Sequence, residues 1–331
     1  MKIRLWQKLA AVVVGLLVVG VGSQLQPPKL FRVGVLNPDP AIEPVFDGFR
    51  AEMAKLGYAE GQTIAYYYDG PTGNEPGRLE AAASGLLDAR VDMILAVTTP
   101  AATVAKQAVA GTNVPVVFWT LTDPVAAGYV ETMQRPGGNL TGVTIGVEGT
   151  ASEGRRLEWL TQIAPDIQRV YIPYNPDDRM VAAQGLQVVQ EAASSLGIDL
   201  ILHQVRIPDE VIASAENIPQ DADAVYILFA DRLVMTGHLQ FIENAIERRI
   251  PLSAFVSDDV RDGALMAFGT VFEPIGEQAA RIADQLLKGA PAAELPVEIP
   301  DFYLSINLRT AAAIGLEIPD SIIRQADFVI R

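Results

Sequence analysis

Beyond Pro27-Pro28, short apolar runs alternate with stretches whose apolar residues recur every three or four positions. The run Phe31-Arg32-Val33-Gly34-Val35-Leu36 has the length of a strand and stops at the turn-rich Asn37-Pro38-Asp39-Pro40. Val45, Phe46, Phe49, Met53 and Leu56 then share one helical face, which Gly57 closes. A strand at 63–68, a helix at 75–89 and a strand at 92–97 continue the pattern. A helix opening at Thr98-Thr99-Pro100 and a strand at 114–119 complete the block. Strands separated by helices of this length predict βαβ units, and hence a parallel sheet covered on both faces.

The alternation then resumes. A helix at 152–163 carries Leu157, Trp159, Leu160 and Ile163 on one side. The strand at 170–174 ends at Asn175-Pro176-Asp177-Asp178, an echo of Asn37-Pro38-Asp39-Pro40. A helix at 179–196, a strand at 199–205, a helix at 209–216 and a strand at 224–229 follow. Next come a helix at 233–249 and strands at 251–255 and 263–268. A helix at 273–288 buries Ile275, Ile282, Leu286 and Leu287 and stops at Gly289, before a Pro- and Ala-rich connector at 290–300. The pattern therefore predicts two similar α/β blocks joined near residues 145–150.

The N-terminus is different. An apolar run at 9–22 follows Lys2, Arg4 and Lys8 and ends in the small residues Gly20-Val21-Gly22-Ser23, which is the pattern of a secretory signal. Read as an uncleaved anchor it is marginal for a bilayer that needs ~20 apolar residues. Both readings place the body of the chain outside the cytoplasm, in a periplasm or at a cell surface. Removing the segment leaves roughly 300 residues, which favours two domains. The net charge of −15 repels nucleic acid and anionic headgroups. With no Cys there is no disulfide, no lipid-modified cysteine and no thiolate zinc site. His203 and His238 lie far apart in sequence, so neither a metal site nor a cofactor is expected.

Ligands of open α/β sheets bind beyond the carboxyl ends of the strands. That rule selects the loops at 37–41, 98–101, 120–125, 175–178, 230–232 and 256–259. The candidate ligand contacts are Asn37, Thr98, Thr99, Trp119, Asp123, Asn175, Phe229, Asp231, Ser257 and Asp258. Thr98 and Thr99 open a helix, where hydroxyls and unpaired N–H groups suit an anion; they also read as a plain N-cap with Pro in the first turn. Asp123, within Thr122-Asp123-Pro124, reads equally as a turn residue. Asp231 and the pair Asp258-Asp259 suit an ammonium group, or cap helices. Trp119 and Phe229 line an apolar pocket or belong to the core. Asn139-Leu140-Thr141 reads as a tight turn after Pro136-Gly137-Gly138. No dinucleotide fingerprint, phosphate loop, nucleophile elbow or H-E-x-x-H occurs, so an enzyme is not expected.

Several long motifs occur together. The tail holds Leu295-Pro-Val-Glu-Ile-Pro, then Ser305-Ile-Asn-Leu-Arg-Thr-Ala-Ala-Ala-Ile-Gly-Leu-Glu-Ile-Pro-Asp and Ala326-Asp-Phe-Val-Ile. Earlier come Asp123-Pro-Val-Ala-Ala-Gly and Arg135-Pro-Gly-Gly-Asn-Leu-Thr-Gly-Val. In these the chain resembles the ABC-transporter substrate-binding proteins of the tryptophan/tyrosine type, over nearly everything after residue 30. The resemblance implies a type I periplasmic-binding fold: two doubly wound Rossmann-like α/β lobes joined by a three-crossing hinge. It implies crossings near 145–150, 270–273 and 296–303. The first lobe would then be 31–146 plus 273–296, and the second 147–270 plus 297–331. It further implies an amino-acid ligand, aromatic or branched, with its carboxylate at Thr98-Thr99 and its ammonium at Asp231 or Asp258. A membrane ABC permease would be the partner of a monomeric binding protein. Many relatives are held by an N-terminal Cys, which this chain lacks. An extracellular sensor of the same fold signalling to a receptor, or an exported hydrolase, is the alternative.

Overall fold

The computed structural model describes residues 29–331 except 74, 76, 122, 179–183 and 230. The expected signal or anchor lies outside the described residues, as does the start of the helix expected at 179–196. Among the described residues no helix is long and apolar enough to cross a membrane.

The first sheet contains β1 (Phe31–Leu36), β2 (Ile64–Tyr67), β3 (Met93–Val97), β4 (Val116–Leu121) and β5 (Leu140–Thr144), linked through α1 (Glu43–Lys55), α2 (Arg78–Asp88) and α3 (Thr99–Ala108). Its order is β2-β1-β3-β4-β5, every pair parallel. The chain then passes through α4 (Gly146–Ile163) into β6 (Arg169–Tyr174), α5 (Leu186–Leu196), β7 (Asp199–Gln204), α6 (Pro208–Glu216) and β8 (Ala224–Tyr226). There follow α7 (His238–Glu247), β9 (Leu252–Ala254), α8 (Asp258–Asp262) and β10 (Met266–Gly269). The last elements are α9 (Phe272–Leu287), β11 (Tyr303–Asn307), α10 (Leu308–Ile314), α11 (Asp320–Ile323) and β12 (Phe328–Ile330). The second sheet has the order β12-β11-β10-β9-β8-β6-β7, with β11 antiparallel to β10.

The two sheets are wound alike. β7-β6-β8-β9-β10 repeats the order β2-β1-β3-β4-β5, and β11 and β12 extend only the second. In each, the order reverses between the first and third strands of the block, β1/β3 and β6/β8. A crevice opens beyond the carboxyl ends of the strands at such a reversal. Both faces of each sheet are covered, which is why β3 and β5 are buried at every position. Val33, Val35 and Trp119 face α1 and α9, while Leu36, Ile94 and Phe118 face α2 and α3. The second sheet has one core around Leu157, Val189 and Tyr226, and another around Tyr171, Phe241 and Val260.

Three strands of chain join the lobes. The first runs from β5 into α4. The second runs from β10 into α9, which packs back on α1 of the first lobe. There the two helix backbones nearly touch: a Cβ on Gly48 would lie 2.1 Å from the Glu273 carbonyl, and one on Gly276 1.9 Å from that of Val45. The third passes β5, where Glu298 N–H donates to Gly142 O and Thr144 N–H to Glu298 O, each at 2.9 Å, before β11 joins the second sheet.

Two sequence expectations need correction. Asn139-Leu140-Thr141 is more than a turn: Asn139 Nδ2 does pin the turn, donating to Val114 O at 2.9 Å, but Leu140–Thr144 forms the fifth strand. Its Thr and Gly content hides this. Thr141 Oγ1 donates to Leu295 O at 2.8 Å, and a Cβ on Gly142 would meet Phe118 O at 2.0 Å, so distant chain segments dictate both residue types. The helix expected at 152–163 begins instead at Gly146, directly out of the crossing, through residues of low helix propensity.

Candidate functional site

The winding puts Asn37 and Thr98 at the reversal of the first sheet, and Asn175 and Phe229 at that of the second. Thr98 is the outlier. Its backbone has φ 97° and ψ 159°, a region open essentially to Gly, yet it is 4 % exposed and well packed. Such strain, on the order of 1–3 kcal/mol, persists where surrounding structure over-determines it, and it clusters at ligand clamps. Its N–H donates to Trp119 O at 3.2 Å, and its Oγ1 caps α3 by accepting from Ala101 N–H at 3.4 Å. The Thr98 hydroxyl proton and the Thr99 N–H have no acceptor among the described residues. Both sit at the positive end of α3.

Asn37 and Asn175 shape their loops in the same way. Each Oδ1 accepts the backbone N–H two residues on, from Asp39 and Asp177 respectively, at 3.0 Å. Asn37 is fully buried, and its amide donates to Glu43 Oε2 at 2.9 Å and to the Tyr68 hydroxyl at 3.3 Å. Asp231, also fully buried, accepts from Asn175 N–H at 2.8 Å and from Val234 N–H at 3.1 Å, so it ties two crevice loops together. Burial raises its pKa, against the pull of those N–H donors. Asp123 is exposed and caps a turn through Ala126 N–H at 2.9 Å, apart from the other candidates; Thr122 lies outside the described residues.

Ser257 and Asp258 lead into α8 beneath the second crossing. Asp258 Oδ1 pairs with Arg261 Nη1 at 2.8 Å. Its Oδ2 is buried without a hydrogen-bond partner among the described residues, and so is Ser257 Oγ. Burial raises the Asp258 pKa, while Arg261 and the facing N–H of Phe272 favour the charged form. Phe272 also sets its ring against Trp119, edge to face with centroids 5.6 Å apart. Trp119 is fully buried and belongs to the first lobe's core. A relay of contacts therefore runs from Asp258 through Phe272 and Trp119 to Thr98.

Beside the nominated Phe229 stand two rings that the sequence reading missed, Phe255 and Phe302. Phe229 and Phe255 lie 4.4 Å apart, and Phe302 of the third crossing is 6.2 Å from Phe255. With Ile145 and Val256 they form a small apolar cluster at the hinge, separate from the main cores. Phe229 is held there by a buried ionic network. Glu153 Oε1 accepts Phe229 N–H at 2.6 Å, and Glu153 Oε2 accepts from Arg156 Nη2 at 2.7 Å. Arg156 Nη2 also donates to Ile227 O at 2.7 Å, and its Nε to the Tyr226 hydroxyl at 2.9 Å. Arg156 and Glu153 are both 0 % exposed, although an i,i+3 Glu/Arg pair reads from sequence as a solvated helix face.

Two cavities among the described residues lie outside this region or at its edge. One of about 550 Å³ lies at the opposite, amino-terminal end of the first sheet, between Lys29, Asp92, Asn139 and Gly289. The other, about 160 Å³, is bounded by Ser257, Asp258, Arg261, Ser305 and Phe328 beside the hinge.

Known proteins sharpen the picture. A family described as ABC transporter substrate binding protein matches residues 32–330. A Clostridioides difficile protein named Tyrosine-binding protein is 24% identical over 290 residues, covering 87% of this chain and 81% of that one. The solved structure of a Streptococcus pneumonia ABC domain in complex with L-Trp superposes with a TM-score of 0.74 at 21% identity, over 92% of this chain and all of that chain (100%). A ligand-free, open substrate-binding protein with adhesive properties from Clostridium difficile gives a TM-score of 0.72 at 26% identity, over 91% and 99%.

Proposed function

Because the chain belongs to the ABC transporter substrate binding protein family, we propose that it captures an amino acid between its lobes, outside the cytoplasm, and delivers it to a membrane permease. The names of the tyrosine-binding relative and the L-Trp complex support an aromatic amino acid. The observation that carries the reading is the opposed chemistry of the two crevice walls. The first lobe offers the Thr98 hydroxyl and the Thr99 N–H at a helix N-terminus, suited to a carboxylate. The second offers the partnerless Asp258 Oδ2, suited to an ammonium group, because a buried carboxylate gains most from a cation it can hydrogen-bond. Phe229, Phe255 and Phe302 supply an apolar surface for the side chain. Asp231 serves this reading as the brace of the second wall, since both its oxygens already accept backbone N–H groups.

Ligand binding then works by differential contact. An amino acid touches both walls only when the lobes close, so it shifts the open–closed balance toward the closed form, which the permease receives. The lobes would be 31–146 plus 273–296 and 147–270 plus 297–331, moving about the three crossings. Thermal melts against a panel of amino acids test this directly. A true ligand at a hundredfold excess over its Kd adds about 2.7 kcal/mol, with Tyr and Trp expected to lead. Asp258→Asn is expected to weaken binding at least tenfold while leaving the unliganded melt nearly unchanged. No shift with any amino acid removes the ligand assignment. Loss of uptake of that amino acid on deleting the gene tests delivery separately.

A further inference from the structure

Behind the Ser257-Asp258 loop lies a second constellation, which the ligand reading does not use. His238 opens α7, while Asp259 and Asp262 stand three apart on α8 and so share one face. One ligand atom from each of the three lies within 4.8 Å of the others. His238 Nδ1 lies 2.7 Å from Met235 O, and a carbonyl can only accept, so a proton sits on Nδ1 and Nε2 is the nitrogen that faces the two aspartates. Fixing the imidazole by a backbone carbonyl in this way is how metal-bound histidines are oriented. The Asp259 side chain is only 9 % exposed and receives no hydrogen bond from the described residues. His238 Nε2 lies 3.8 Å from Asp259 Oδ1, too far for a hydrogen bond. A buried carboxylate left in this condition calls for a cation.

We propose that His238, Asp259 and Asp262 bind a divalent transition cation of the zinc type, which pins α8 to α7 directly behind the candidate ligand loop. One imidazole and two carboxylates are a donor set for zinc; calcium and magnesium take oxygen ligands only. In a tetrahedral site with bonds of ~2.0 Å, neighbouring ligand atoms stand about 3.3 Å apart, so the 3.8 Å pair needs to close by about half an ångström. Asp262 is exposed and free to swing in, and solvent completes the coordination. The site goes beyond amino-acid capture and stands whether or not that reading holds.

The chain has two histidines, which makes the test clean. Zinc is titrated calorimetrically into the full, tag-free, chelator-treated chain and into three variants, with circular dichroism confirming the fold of each. The expected result is one zinc per chain, weakened at least tenfold by His238→Ala and by Asp262→Asn, and unchanged by His203→Ala, because His203 is an exposed residue on β7. Asp262→Asn is the decisive variant, since an exposed side chain at the end of α8 is removed without disturbing the core. The proposal is overturned by an absence of zinc binding at 100-micromolar protein (~10⁻⁴ M, the weak end for a specific site), by binding that survives Asp262→Asn, by binding that vanishes with His203→Ala, or by magnesium or calcium binding as tightly as zinc.

Discussion

The two lobes repeat one winding, yet they stiffen their crevice walls by opposite means. In the first, α9 arrives from the second crossing and presses on α1 through Gly48 and Gly276, backbone against backbone, with the ion pairs Lys55–Glu277 and Arg281–Glu52 only at the solvent-facing edge. In the second, Phe229 is held by the fully buried Glu153–Arg156–Tyr226 network. The same contrast runs through the loops facing the crevice. The first lobe stores backbone strain at Thr98, whereas the second keeps acceptors without donors at Ser257 and Asp258. One topology thus carries two chemistries, and on that contrast rests the proposal of a ligand bearing both charges.

Mutations that break each wall should separate these mechanisms. Glu153→Ala is expected to have the largest effect, a loss of about 3–5 kcal/mol in denaturant unfolding, because it leaves the Arg156 charge buried and unpaired. A loss under 1 kcal/mol would mean that the network does not hold the second wall. Gly276→Ala comes next. Its Cβ would lie 1.9 Å from Val45 O and 2.7 Å from Phe49 N, so backbone must move, at a cost of about 1–3 kcal/mol. An unchanged unfolding midpoint would show that the two helices are not locked together. Thr98→Gly should be the smallest and opposite in sign. Relief of ~1–3 kcal/mol of strain outweighs ~1 kcal/mol of added unfolded-state freedom, for a net gain of about 1 kcal/mol. Destabilisation would show that φ 97° costs Thr nothing there.

Much of the scaffold was legible because periodicity reports burial. β1, β3 and β6 are apolar runs closed by turn residues, and the paired Asn-Pro-Asp turns close the first strand of each block. β5 escaped because Thr141, Gly142 and Thr144 answer to partners more than 20 residues away, such as Glu298. At the site, the strand-end rule nominated Thr98, Phe229 and Asp258, but not their surroundings. Phe255, Phe302, Glu153 and Arg156 carry no local signal that would single them out. Trp119 and Asp123 were nominated by position alone; the one lies wholly within a core, the other at an exposed turn. Side-chain direction in loops depends on tertiary contacts, which no local pattern encodes.

Phe272 has a consequence for observing the molecule at work. Its amide faces Asp258 while its ring leans on the indole of Trp119, so one residue at the start of α9 answers to both halves. If the proposed closure moves Phe272 against Trp119, the emission of Trp119, isolated by replacing Trp6 and Trp159, becomes a built-in optical gauge of the joint.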